Sequence, residues 1–148
     1  MRHLPNAITL LNLICGAVAI LLVLQAQWYA AALWLAAAAL ADFADGLVAR
    51  ALGVASPEGK ELDSLADMVS FGLAPGMILY SILDMGQQPG TATPLAQGLY
   101  WPAVPAFILP AFSALRLARF NLDERQTEHF RGLATPASTL LVVGLMLL

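Results

Sequence analysis

The sequence is poor in charge. Of its 148 residues, 11% are charged and 59% are hydrophobic, whereas a soluble domain carries about 25% charged residues. So few charges cannot coat a water-facing surface, which excludes an ordinary soluble domain. The one cysteine, Cys15, excludes an internal disulfide and reads as a buried, inert thiol. The two histidines, His3 and His129, are far apart, so the chain offers no imidazole or thiolate cluster for a soft metal. Seven Lys and Arg against ten Asp and Glu leave a net charge of −3, and no nucleic acid is expected as a partner.

What remains is long apolar runs. No charged side chain stands between Leu4 and Ala41. A spanning helix needs roughly 20 apolar residues, so this run is two helices, broken near Gln25 to Tyr29 where amides meet interfacial aromatics. A second run, Met68 to Leu115, holds only Asp84. It is two more helices, split by the Gly, Pro and Gln-rich stretch from Gly86 to Gln97. A fifth apolar segment starts near Leu133. Arg2 followed by an apolar run resembles a signal peptide, but no cleavage site and polar mature region follow, so the segment reads as a retained first helix. The expectation is one all-α, polytopic membrane domain over residues 1–148, with five helices. Trp28, Trp34, Tyr100 and Trp101 are expected to be interface anchors or packing groups.

Threaded with the N-terminus inside, the helices put every basic residue on or near the inner side: Arg2, Arg50, Lys60, Arg116, Arg119, Arg125 and Arg131. The outer loops contain none, which is the positive-inside pattern. The expected location is the inner membrane, with the N-terminus cytoplasmic.

Ionisable groups on membrane helices are costly, and so are functional candidates. Asp42 and Asp45 are three apart on the second helix, and Asp63 and Asp67 four apart on the third, so each pair shares a helix face. The loop between them, roughly Leu52 to Glu58, turns the chain back with Gly53 and Pro57. In an antiparallel hairpin, Asp45 is level with Asp63 and Asp42 with Asp67. Carboxylates at this density repel one another, and either share protons or hold divalent cations. All-oxygen sites suit Mg²⁺, Mn²⁺ or Ca²⁺, and Mg²⁺ binds through a few carboxylates plus substrate phosphates. The competing readings are a solvated acidic face, an ion-pair network with Arg50, and an ion-conducting or proton-relay site.

The spacing decides among them. It reads Asp42-x2-Asp45-Gly46-x2-Ala49-Arg50-x8-Gly59-x3-Asp63-x3-Asp67. In all eight fixed positions this resembles the signature of the CDP-alcohol phosphotransferases, and Pro5-Asn6-x2-Thr9 opens the first helix as in that family. The flanking stretches Phe71-Gly72-Leu73-Ala74-Pro75, Ala114 to Asn121 and Phe130 to Ala137 resemble the membrane-embedded phosphatidylserine synthases, which usually carry Pro at the position of Ala134. The family has six spanning helices, so a C-terminal truncation is expected.

The resemblance implies displacement at the β-phosphorus of CDP-diacylglycerol by the hydroxyl of L-serine, releasing CMP. It implies two Mg²⁺ or Mn²⁺ ions, with Asp42, Asp45 and Asp63 as ligands and Asp67 completing the second site and acting as general base. Gly46, Ala49, Arg50 and Ser56 would line the nucleotide site, with Gly59 admitting close approach. Asn6 and Thr9 either close that site or cap the first helix. Arg116, Arg119 and Asn121 form a second cluster: an anion pocket for the serine carboxylate or a phosphate, or snorkelling anchors. The family is commonly homodimeric. The alternatives are a sibling enzyme using glycerol phosphate or inositol phosphate, and a carboxylate-lined metal-ion transporter.

Overall fold

Helix length follows from the unbroken apolar runs, and helix ends follow from local turn chemistry. In the computed structural model, which describes residues 4–54, 56–87, 90, 92–122 and 135–147 (the side chains of 120–122, 135 and 136 excepted), all regular structure is helical. Arg2, Arg125, Arg131, the stretch from Phe130 to Ala134 and the Asn121 side chain lie outside the described residues. Helix α1 is Leu4–Leu24 and α2 is Trp28–Leu52. The uncharged run breaks at Gln25–Gln27, where Ala26 takes φ 56° and its N–H bonds the Val23 carbonyl at 3.0 Å. That left-handed conformation costs an L-residue about 1–2 kcal/mol, so a turn is imposed here rather than preferred locally.

The far end of α2 is closed by Gly53 at φ 60°. Its N–H bonds the Arg50 carbonyl, and the Val54 N–H bonds that of Ala49 at 3.2 Å, the paired bonds of a Schellman stop. The chain re-enters a helix at once. Ser56 caps it by accepting from the Gly59 N–H at 3.0 Å, and Pro57 occupies the first turn. The resulting helix, α3, runs Pro57–Gln87 over 31 residues. It is longer than the roughly 20 residues a bilayer requires. Its polar first part, Pro57–Asp67, therefore extends to the membrane edge, and its apolar remainder makes the crossing.

Within α3, Met68–Leu73 is a π-helix that begins directly after Asp67. Wider turns of this kind are rare and mark functional positions. Two side chains meet its backbone neighbourhood: Thr139 donates to the Phe71 carbonyl at 3.2 Å, and Ser70 donates to the Asn12 carbonyl at 3.1 Å. After the loop that follows α3, a 3-10 turn, Trp101–Phe107, leads into α4, Ile108–Leu122, and α5 is Thr135–Met146. The five helices expected from the sequence are present, and among the described residues α1, α2, α3 and the stretch Trp101–Arg119 are long and apolar enough to cross a membrane.

The core is thin and built of small residues. Ala19 and Val23 of α1, Ala31 and Leu35 of α2, Ala74 and Ile78 of α3 and Val142 of α5 form one buried cluster. Small side chains let helices approach where lipid supplies no hydrophobic drive between them. Outward-facing Tyr29, Leu33, Leu40, Phe43 and Phe112 are exposed, the inside-out arrangement that a lipid solvent permits. Asp84, the lone charge of the second apolar run, is buried near the C-terminal end of α3 and accepts from the Leu95 N–H at 2.8 Å. It fastens the loop that follows α3.

Candidate active site

Three helix ends meet at one end of the bundle: the start of α1, the end of α2 and the start of α3. The Schellman stop and the Ser56 cap turn the chain from the second of these ends into the third. Helix α1 packs along α2 and also against α3. The carboxylates of Asp42, Asp63 and Asp67 converge there, with one oxygen from each within 4.8 Å of the others. All three are half-buried.

Asp45 stands outside that trio. It is buried, accepts a hydrogen bond from Thr9 of α1, and shares the wall of the adjoining cavity with Asp63. The sequence pairs Asp45 with Asp63 and Asp42 with Asp67 by level; in the structure Asp42, Asp63 and Asp67 converge and Asp45 turns to Thr9.

The cavity, about 200 Å³, is lined by residues from all three helices and the turn. Asn6, Thr9, Gly46, Ala49, Ser56 and Gly59, each expected there from the sequence, line it. Thr9 is no helix cap. It lies in the second turn of α1, bonding the Pro5 carbonyl at 3.0 Å as well as Asp45. Asn6 sits beside Gly59, where a Cβ would fall 3.3 Å from Asn6 Oδ1 and 3.2 Å from Ser56 Oγ. Arg50 is not a lining residue. Its guanidinium folds back over Gly46, within 4 Å of where a Cβ would be. Arg116 is half-buried and Arg119 exposed near the end of α4, and neither lines the cavity.

Two participants were not anticipated from the sequence. Lys60 lines the cavity, and its signal is a basic residue directly after Gly59 inside the acidic motif. Asn12 is fully buried and donates to Asp67 Oδ1 at 3.3 Å. Its signal is a carboxamide inside an apolar run, one turn beyond Thr9 on the same face.

The donor set suits a hard divalent cation. Three carboxylates crowd one point, and Asp63 Oδ1 is buried without a hydrogen-bond partner. A buried, unpartnered carboxylate oxygen is costly, and a cation meets that cost. All-oxygen coordination fits Mg²⁺ or Mn²⁺.

The sequence profile of the CDP-alcohol phosphatidyltransferase family matches residues 2–148. The chain is 40% identical to a CDP-diacylglycerol–serine O-phosphatidyltransferase of Mycobacterium leprae, covering 100% of this chain and 48% of the relative. It is 33% identical to the enzyme of that name from Bacillus subtilis, over 97% of this chain and 75% of the relative. The counterpart from Methanocaldococcus jannaschii is 38% identical, over 95% of this chain and 59% of the relative. The chain thus spans about half the length of the mycobacterial relative and more of the other two. No solved structure matches it significantly. A family profile matched nearly end to end, on a chain whose acidic motif folds into one site, makes this protein a member of the CDP-alcohol phosphatidyltransferase family.

Proposed function

We propose that this chain transfers the phosphatidyl group of CDP-diacylglycerol to the hydroxyl of L-serine, forming phosphatidylserine and CMP. The observation that carries the reading is the convergence of Asp42, Asp63 and Asp67 beside a cavity walled by Asp45 and small residues. The names of the relatives support serine as the acceptor.

In this reading the serine oxygen attacks the phosphorus that bears the diacylglycerol. The new O–P bond forms as the bond from that phosphorus to the bridging oxygen breaks, and CMP leaves with the bonding pair. A serine hydroxyl is a weak nucleophile at neutral pH, so its proton needs a base within reach. Asp67, which follows Asp63 by one turn of α3, takes it. Asp42, Asp45, Asp63 and Asp67 would hold one or two Mg²⁺ or Mn²⁺ ions, whose chemistry is to offset charge on the attacking and leaving oxygens of an in-line displacement. Gly46, Ala49 and Gly59 give the nucleotide room, and Ser56, Asn6 and Lys60 offer polar contacts. Arg50, alongside Gly46, supplies a charged fork for phosphate. Arg116, Arg119 and Asn121 bind the serine carboxylate.

The site faces the cytoplasm in this reading, because Arg50, Lys60, Arg116 and Arg119 stand at the same end of the bundle as the acidic trio. Pairing as a homodimer is part of the same proposal. The test is direct. Membranes holding the chain are given CDP-diacylglycerol, Mn²⁺ or Mg²⁺, and labelled serine, glycerol phosphate or inositol phosphate. Serine label is expected in lipid. Label from either phosphate instead identifies a sibling enzyme, and metal uptake without any labelled lipid points to a transporter.

A further inference from the structure

The acidic trio has a neighbour to which the reaction above gives no part. Asn12 lies midway along α1 and is fully buried. Its Nδ2 donates to Asp67 Oδ1 at 3.3 Å. Its own backbone carbonyl accepts from Ser70 Oγ at 3.1 Å, three residues beyond Asp67 in the π-helix. One turn further along α1, Gly16 meets the same serine so closely that a Cβ would fall 2.2 Å from Ser70 Oγ. Helix α1 is thus pinned, through two adjacent turns, to the segment that directly follows Asp67.

The other end of the carboxamide tells against a packing role. Asn12 Oδ1 is buried with no hydrogen-bond partner. A leucine of similar size would bury no unsatisfied acceptor and would suit an apolar helix better. What the asparagine supplies that leucine cannot is a hydrogen bond to Asp67.

We propose that Asn12 is a positioning residue, whose amide holds one oxygen of Asp67 and so presents the other to the cation and to the acceptor's hydroxyl. The inference rests on the metal-dependent reading above. Groups that orient a metal-binding carboxylate typically change metal affinity or activity by about 10–100-fold when removed.

The test measures Mn²⁺ binding to the detergent-purified chain by the electron paramagnetic resonance of bound Mn²⁺, alongside thermal unfolding. Asn12→Leu is expected to weaken Mn²⁺ binding about tenfold or more, with a midpoint of unfolding equal to or above that of the parent. In an Asp67→Asn background, Asn12→Leu is expected to add nothing, because its effect passes through that carboxylate. Should the leucine variant fail to fold, Asn12→Gln, which keeps the donor but moves it by a methylene, is read in the same way and is expected to show a smaller loss. Mn²⁺ affinity within twofold of the parent overturns the inference. So does a loss that persists in full in the Asp67→Asn background, or one that only tracks lost stability. A parent chain that binds no Mn²⁺ overturns the metal reading itself, an outcome distinct from the others.

Discussion

Thr9 on α1 and Asp45 on α2 share a hydrogen bond at the depth of the acidic cluster, in a place where both residues are buried. A hydroxyl has one proton, so donating to Asp45 competes with the back-bond to the Pro5 carbonyl at 3.0 Å. Removing the hydroxyl would take from a buried carboxylate its side-chain donor. Thr9→Val, nearly unchanged in shape, is expected to weaken CMP and Mn²⁺ binding about 10–100-fold, and Thr9→Ser to restore most of it. Titration calorimetry of the three proteins with CMP and Mn²⁺ makes the comparison. Equal affinities would detach Thr9 from the site.

Asp67 and Asp42 are expected to fail differently. Asp67 accepts a hydrogen bond from Asn12 of α1, while Asp42 comes from α2 and meets both α3 carboxylates. Asp67→Asn should lower turnover by about 10²–10⁴-fold, the usual worth of a general base, and leave nucleotide binding largely intact. Asp42→Ala should lose metal and nucleotide together. Wild-type-like turnover of the Asn variant removes Asp67 from the role of base.

The helices, their breaks and the acidic motif were legible in the sequence because each follows from local properties. An uncharged run of nearly forty residues can only be two spans, and Gly53 and Pro57 stop and start helices by their own backbone chemistry. Which aspartates are level is an expectation from the hairpin alone. Direction was not legible. That Asp45 turns to Thr9 while Asp42 turns to Asp63 and Asp67 depends on how α1 lies across the hairpin. The π-helix after Asp67 carries no local pattern that sets it apart from an α-helix. Asn12 read as one more position in an apolar run until its partner on α3, 55 residues away, was known.

Gly59 offers a steric test of the cavity. A Cβ there would lie 3.2 Å from Ser56 Oγ and 3.3 Å from Asn6 Oδ1, tight enough that one must yield. Gly59→Ala would also narrow the space into which a nucleotide fits. The expected result is a higher KM for CDP-diacylglycerol, by about tenfold if one to two kcal/mol of contact is lost, with the KM for serine little changed. Kinetics with each substrate varied in turn distinguish this from a general loss of activity.

Ser56 tests orientation. It is exposed at the mouth of the α2–α3 turn, and the chain's own Cys15 is buried. Ser56→Cys therefore adds an accessible thiol against a silent background. A membrane-impermeant maleimide should label it in inside-out vesicles and not in intact cells. Labelling in intact cells would invert the proposed topology.

The acceptor is the most demanding part of the proposal, and Arg116 and Arg119 are where it can be tested. They lie three apart near the end of α4, so they share a helix face, and α4 packs on the π-helix that follows Asp67. Serine enters as a zwitterion, and its carboxylate must be neutralised by something other than the aspartates. A guanidinium does so with two parallel hydrogen bonds, a geometry that lysine cannot reproduce. Arg116, half-buried, is the stronger candidate, because a charge partly withdrawn from water gains more from a partner than the exposed Arg119 does. Arg116→Lys should raise the KM for serine about tenfold, the loss of one charge-assisted hydrogen bond, and leave that for CDP-diacylglycerol unchanged. If the two constants rise together, the arginine holds the phosphate of CDP-diacylglycerol that serine attacks. If neither rises in Arg116→Lys or in Arg119→Lys, both side chains are membrane anchors, and the serine carboxylate must be met elsewhere.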